Sequence, residues 1–191
     1  MVLLDKEEHF SLAVSYSQEK RIEDAIVHLK QAIRIDEDFA AAHYLLACEH
    51  AEMGLMDKAV IGLEKSIDLN SELWTAYYQL GLLHWLSGNN DAAVSVWQRL
   101  ASSQSPNYMV SLAEGLLALL EEDRDTALQR FQQAIELNSE NTALNKEISR
   151  FIVNINNNGQ QGEDIAAENK EDMGDLQHLH LYEAAYRNSN H

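Results

Sequence analysis

The fold is decided by the stretch Glu23-Asp-Ala-Ile-Val-His-Leu-Lys-Gln-Ala-Ile-Arg-Ile-Asp, which returns twice in similar form. The copies read Met56-Asp-Lys-Ala-Val-Ile-Gly-Leu-Glu-Lys-Ser-Ile-Asp-Leu-Asn and Asp125-Thr-Ala-Leu-Gln-Arg-Phe-Gln-Gln-Ala-Ile-Glu-Leu-Asn. An alanine marks the same place in these stretches and in one further stretch, at a constant spacing of 34 residues: Ala25, Ala59, Ala93 and Ala127. A fixed period of this length indicates a protein built from a row of similar small units.

Two further ladders share the 34-residue period. One consists of small residues, Ala13, Ala47, Gly81 and Gly115, and the other of bulky ones, Leu29, Leu63, Trp97 and Phe131. The apolar residues inside each copy recur at intervals of three and four, which predicts helices. A small residue on one helix allows a second helix to approach closely. Each repeat is therefore predicted to be a helix, a short turn and an antiparallel helix, and the chain to be all-α.

These residues resemble the tetratricopeptide repeat (TPR) family. Its motif has bulky residues early in the first helix (helix A), a small residue at the eighth position, and alanines flanking a bulky residue on the second helix (helix B). The third repeat matches most closely, at Tyr77, Leu80, Gly81, Gly88, Ala93 and Trp97. The resemblance implies a right-handed superhelical solenoid of antiparallel helix pairs.

The resemblance covers about residues 1–141 and places repeats 1 to 4 at 6–39, 40–73, 74–107 and 108–141. A capping helix is expected at 142–153, so the array with its cap would span 1–156. The family often has a proline near the end of each repeat. Here Glu37, Ser71 and Ser139 stand at that place, and Pro106 lies one residue late.

An acidic linker and tail are expected at 157–191. Within it, residues 175–187 predict a short amphipathic helix whose apolar side chains recur at i, i+3 and i+7: Leu179, Tyr182 and Tyr186. Such a helix is able to dock on the groove of its own chain or of a second copy.

Composition excludes several classes of protein. The 191 residues include 14 Lys and Arg against 31 Asp and Glu, a formal charge of −17, which repels nucleic acid. One cysteine excludes a disulfide scaffold and a multi-thiolate zinc site, and no metal or cofactor is expected. The sequence has neither a signal-peptide pattern nor an apolar stretch able to span a membrane, so a cytoplasmic location is expected.

Catalytic motifs are missing from the sequence, so the chain is not expected to be an enzyme. We find no phosphate-binding glycine-rich loop, no Gly-x-Ser-x-Gly and no His-Glu-x-x-His. Cys48 and His50 are two residues apart, and on a helix that spacing points the side chains to different faces.

In TPR proteins helix A lines the concave surface, chiefly through its second, fifth, ninth and twelfth positions. The family's chaperone-docking members carry Lys, Asn and Arg there as a carboxylate clamp, and this chain carries none of them. Its lining positions predict an apolar, aromatic groove, with Tyr78 and Trp85 facing solvent. The predicted groove residues are Phe10, Val14, Tyr44, Cys48, Tyr78, Leu82, Trp85, Met109, Leu112 and Leu116. In the alternative reading, the leucines of repeat 4 pack internally.

Three functional hypotheses follow. The first is a non-catalytic adaptor or scaffold that binds a protein or peptide segment with apolar anchors. The second is a dedicated chaperone for an aggregation-prone client, as in the small acidic TPR proteins of bacterial secretion systems. The third, compatible with both, is autoinhibition or dimerisation through the C-terminal helix.

Overall fold

A computed structural model describes residues 4–158, which form nine α-helices and no strand. The predicted tail helix at 175–187 lies outside the described residues. The helices are α1 (Lys6–Gln18), α2 (Ile22–Ile35), α3 (Ala40–Glu52), α4 (Met56–Leu69), α5 (Trp74–Leu86), α6 (Asn90–Ser102), α7 (Asn107–Leu120), α8 (Arg124–Leu137) and α9 (Thr142–Asn158).

The described chain divides into two compact bodies at the junction of Ala76 and Tyr77, inside α5. In the N-terminal body, residues 4–76, α1 packs against α2, α2 against α3, and α3 against α4. In the C-terminal body, residues 77–158, α6 packs against α7, α7 against α8, and α8 against α9. The prediction of an all-α fold made of antiparallel helix pairs is confirmed.

Each helix A ends in the same left-handed turn. The residue after the helix C-cap has a positive φ in all four repeats: Lys20 at 59°, Gly54 at 72°, Gly88 at 78° and Glu122 at 60°. The next backbone N–H donates to a carbonyl five residues back, as in the hydrogen bond from Leu55 N to His50 O of 2.8 Å. This is the Schellman motif, which favours glycine and which repeats 1 and 4 build with a side chain present.

The two ladders of small and bulky residues meet between the helices of a pair. A Cβ atom added to Gly81 would lie 2.6 Å from Cδ1 of Trp97, and one added to Gly115 would lie 2.6 Å from Cδ1 of Phe131. Both aromatic rings are fully buried. In both pairs, helix A therefore has a glycine at the point where helix B places a bulky aromatic side chain, as the sequence predicts.

In repeats 1, 2 and 4, helix B is closed by a side chain rather than by the family's proline. Oδ1 of Asp36 accepts a hydrogen bond from the N–H of Asp38, and Oδ1 of Asn70 accepts one from the N–H of Glu72, at 3.1 and 3.0 Å. Asn138, again in the 34-residue register, accepts one from Asn141 N–H at 3.0 Å. These turns replace the missing proline in the three repeats that lack it.

Helix α9 extends the array beyond its last pair. Its apolar side chains follow helical spacing and are buried, and the ring of Phe151 stacks on that of Phe131 at a centroid distance of 5.5 Å. The helix runs to Asn158, five residues beyond the end expected from the sequence. The buried side chains are Leu144, Ile148, Phe151 and Ile155.

Candidate peptide-binding surface

The helix-A stripe of the N-terminal body comprises Phe10 and Val14 on α1 and Tyr44 and Cys48 on α3. Each pair is spaced by four residues, so each pair lies on one helix face. All four side chains are buried within the chain, with exposures between 0 and 8%. The stripe carries no charged side chain, so it suits apolar groups.

The C-terminal body carries a second helix-A stripe, on α5 and α7. Five of its six members are at most 4% exposed, whereas Trp85 is half-buried. The members of the stripe are Tyr78, Leu82, Trp85, Met109, Leu112 and Leu116.

The expectation that Tyr78 faces solvent is wrong, because its side chain is only 1% exposed. Its backbone carbonyl accepts a hydrogen bond from Nε1 of Trp97 at 3.4 Å. Trp85 meets the same indole edge-on, with ring centroids 6.1 Å apart and an interplanar angle of 70°. Trp97 therefore contacts both residues from helix B.

A buried polar pair joins the first helix of repeat 1 to that of repeat 2. The hydroxyl of Ser17 donates a hydrogen bond to the carboxylate of Glu49, and each residue is 1% exposed. A carboxylate that is hydrogen-bonded in the interior fixes the relative placement of the two helices. This contact is not visible in the repeat pattern, since the two residues are 32 positions apart and neither belongs to the repeat motif.

The chemistry of Cys48 is that of an unreactive thiol. Burial raises the pKa of Cys48 well above its usual value, and the nearby carboxylates of Glu49 and Glu52 raise it further. The pKa of His50 is lowered, first by burial and then by Lys58 and Lys30. A thiol held protonated in this way is a poor nucleophile.

Residues 4–158 contain neither a metal-binding cluster nor a membrane-spanning helix. No group of three or more His, Cys, Asp or Glu side chains in this part of the chain is placed to hold a metal ion. None of the helices described here has both the length and the apolar character needed to cross a membrane.

Comparison with known families agrees with this architecture. Models of the tetratricopeptide repeat match residues 15–54, 40–73 and 75–105. The chain belongs to the TPR family. Solved TPR structures share its fold class, and the family is typical of non-catalytic proteins that bind peptides or other proteins. Membership therefore supports a role as a protein-interaction adaptor or scaffold.

Several solved structures are similar to this TPR chain. MamA is 27% identical, with 69% of this chain and 77% of MamA covered at a TM-score of 0.57. PilF of Pseudomonas aeruginosa is 19% identical, with coverages of 94% and 76% and a TM-score of 0.64. YrrB, described as a TPR protein with an unusual peptide-binding site, is 18% identical, with coverages of 96% and 91% and a TM-score of 0.54. A search among curated proteins found no significant match.

Proposed function

We propose that this TPR protein is a non-catalytic adaptor that binds an apolar segment of another protein along its helix-A stripes. The observation that carries the proposal is the character of those stripes. The ten stripe residues on α1, α3, α5 and α7 bear aromatic, aliphatic, thiol or thioether side chains and no formal charge. Aromatic side chains supply large contact areas at low entropic cost, which makes them effective binding anchors.

The charge of the chain specifies the partner further. With a formal charge of −17, the protein favours an apolar segment that carries basic residues on its flanks. Opposite charge speeds encounter and loses its effect as salt screens it. Binding of such a segment should therefore weaken with ionic strength, and most of that loss should appear in the association rate.

A second proposal is that a segment of the same chain covers the stripes when no partner is bound. In TPR proteins these helix-A positions line the concave surface, whereas here nine of the ten stripe residues are buried within the chain. After α9 a further 33 residues follow, and the segment 175–187 has the amphipathic pattern of a ligand. We propose that Leu179, Tyr182 and Tyr186 occupy a stripe and must leave it before a partner binds.

The dimensions permit this occupancy. A helix of 13 residues is about 20 Å long, close to the span of three turns on the helices it would contact. The 16 residues from 159 to 174 reach as far as about 50 Å when extended. Docking of the same segment on a second copy would produce a dimer by exchange of tails.

The single cysteine gives a direct test of tail occupancy. We would compare the full chain with a full-chain variant carrying Leu179→Ala, Tyr182→Ala and Tyr186→Ala, and measure the rate at which an aromatic disulfide reagent labels Cys48. We expect the variant to label at least about tenfold faster, because a thiol must be exposed to react. Equal rates would contradict occupancy of the N-terminal stripe.

A synthetic peptide of residues 173–189 supplies the matched control. Added in trans to the triple-alanine variant, it should slow the labelling of Cys48 again, whereas a peptide with the same three alanines should not. Light scattering across a range of concentrations separates the two forms of docking. A monomer indicates self-docking, and a dimer that dissociates in the triple-alanine variant indicates exchange of tails.

The adaptor proposal has its own experiment. The triple-alanine chain would be used as bait with and without excess 173–189 peptide, and proteins released by the peptide would be identified by mass spectrometry. Released proteins should contain apolar segments with basic flanks, and binding of a synthetic copy of that segment should be lost when its apolar anchors are replaced. If that copy fails to bind, the adaptor proposal through the stripes is wrong.

The same partner distinguishes an adaptor from a chaperone. A client of a dedicated chaperone becomes insoluble when it is expressed alone and soluble when co-expressed with this chain. A partner of an adaptor is soluble in both cases.

A further inference from the structure

Four side chains along the first helix pair form a continuous stack. The ring of His9 lies 5.1 Å from that of His28, and the ring of His28 lies 5.3 Å from that of Tyr16, nearly parallel to it. The guanidinium carbon of Arg21 lies 4.3 Å from the centre of the Tyr16 ring. The stack belongs entirely to the N-terminal body.

The stack alternates between the two helices. His9 and Tyr16 are seven residues apart on α1. Arg21, the N-cap residue of α2, and His28 within α2 are also seven residues apart. Because seven residues are about two helical turns, each pair lies on one face of its helix. Side chains of α1 and α2 therefore interleave, and the contact between the histidines is the last layer of the stack.

The two histidines are joined by a hydrogen bond between their Nδ1 atoms, which are 2.9 Å apart. One ring must donate its N–H and the other must accept with a lone pair. The bond therefore exists when both rings are neutral, and also when one ring is charged and donates. It cannot exist when both rings are charged, because two N–H groups then face each other and two like charges meet.

We propose that His9 and His28 act as a single-proton latch between α1 and α2: the latch tolerates one added proton and opens on the second. Opening releases the end of the stack and loosens α1, which carries Phe10 and Val14. The latch thus makes the order of the first helix pair depend on pH in the mildly acidic range.

The charged groups around the latch favour opening at a second proton. Within α2, Asp24 lies one turn before His28, but its carboxylate is bonded to the guanidinium of Arg21 at 2.8 Å. On α1, the ring of Tyr16 stacks on that of His28. The positively charged guanidinium of Arg21 lies over the same Tyr16 ring. Helix α3 packs against α2, and none of its titratable residues is among the causes of the pKa shift of His28; these residues are His43, Tyr44, Cys48, Glu49, His50 and Glu52.

The direction of the pH effect follows from the folded and unfolded states. Burial first, and the charge of His9 second, lower the pKa of His28 below its ordinary value of 6.5, while Asp24 opposes them. The folded state therefore binds fewer protons than the unfolded state. The stabilisation is complete above pH 6.5 and is lost as the pH falls through and below that value.

The test uses the full chain with a metal chelator in the buffer. Hydrogen exchange of α1 peptides would be measured by mass spectrometry at pH 7.5 and 5.5, corrected for intrinsic exchange and referred to α7. We expect protection of α1 to fall about fivefold at the lower pH, which is the effect of one lost hydrogen bond. His9→Gln and His28→Gln should remove this pH dependence, and His43→Gln in α3 should retain it.

Ring resonances of the wild-type chain provide a second measurement that needs no substitution. The ring of His28 should titrate below the ordinary histidine pKa of 6.5. The latch is refuted if α1 protection does not change between the two pH values, if His28→Gln shows the wild-type change, or if the ring resonance assigned to His28 does not titrate at a lowered pKa.

Discussion

Asn138 and Asn145 bond to each other twice across the turn between α8 and α9. Nδ2 of Asn138 donates to Oδ1 of Asn145 at 2.8 Å, and Nδ2 of Asn145 donates to the carbonyl of Asn138, also at 2.8 Å. The same Asn138 also donates to the carbonyl of Asn141 and accepts from its N–H. One buried amide thus joins the end of the last repeat to the start of the final helix.

We predict that Asn138→Ala destabilises the chain by about 2–3 kcal/mol, since it leaves several buried polar groups without partners. Asn138→Asp keeps the acceptor for the Asn141 N–H but loses both donor bonds, so its effect should be substantial as well. Asn70→Ala removes one hydrogen bond at the corresponding turn of repeat 2 and should cost less. Denaturant unfolding checks the order, and an equal cost for Asn70→Ala and Asn138→Ala would contradict the assigned role.

A second prediction concerns the left-handed turns. Lys20→Gly and Glu122→Gly should each stabilise the chain by about 0.5–1 kcal/mol, because these residues hold a positive φ that glycine adopts without strain. Gly54→Ala and Gly88→Ala are the matched reverse changes. An added Cβ at either glycine meets no atom within 4 Å, so their cost is conformational. Thermal unfolding measures all four, and the prediction fails if the forward and reverse changes have the same sign.

A third prediction concerns the close approach of α5 and α6. Gly81→Ala should destabilise the chain by about 1–3 kcal/mol, because its methyl group would overlap the buried indole of Trp97. Trp97→Leu alone should also destabilise it, since it leaves a cavity. The double variant recreates the Ala and Leu pairing of repeat 2, at Ala47 and Leu63.

The double variant should therefore be more stable than the sum of its single changes by at least about 1 kcal/mol. Ser95→Ala, on the exposed face of α6, is the control for helix propensity. Additive effects in denaturant unfolding would show that the two positions do not share space.

A fourth prediction separates Tyr78 from Trp85. Tyr78→Ala should cost about 3–5 kcal/mol of stability, as for a fully buried aromatic side chain. Trp85→Ala should cost less, since the ring is half-buried and loses mainly its edge contact with Trp97. If the tail covers this stripe, Tyr78→Ala should cost less in the triple-alanine variant than in the native chain. Calorimetry of the native chain, the two single variants, the triple-alanine variant and its combination with Tyr78→Ala measures these differences.

The helix pairs and the matching of small to bulky residues were predictable, because both follow from a period written directly in the sequence. Gly81 and Trp97 belong to two ladders with one period, and helical geometry brings such ladders together. The side chains that close helix B could also have been predicted from the sequence. Asp36, Asn70 and Asn138 stand in the same 34-residue register, immediately before the positions where proline is missing.

The burial of Tyr78 and the contact between His9 and His28 could not be predicted in the same way. Helix position says that Tyr78 points away from its own helix B, but not what else covers it. The histidines lie 19 residues apart, and their meeting depends on how far one helix slides along the other. A shift of one residue along either helix would separate the two rings, and no pattern in the sequence reports that shift.

The matched sizes of the helix partners also bear on assembly errors. During folding of a repeat protein, a helix B can pair with the helix A of the wrong repeat, because the repeats have similar sequences. Here the indole of Trp97 fits over Gly81, but it would meet the methyl group of Ala13 or Ala47 in repeats 1 and 2. In the opposite exchange, Leu29 or Leu63 over Gly81 would leave an empty space. Side-chain volume thus distinguishes the helices of the first two repeats from those of the last two, and it disfavours pairing between helices of the two sets.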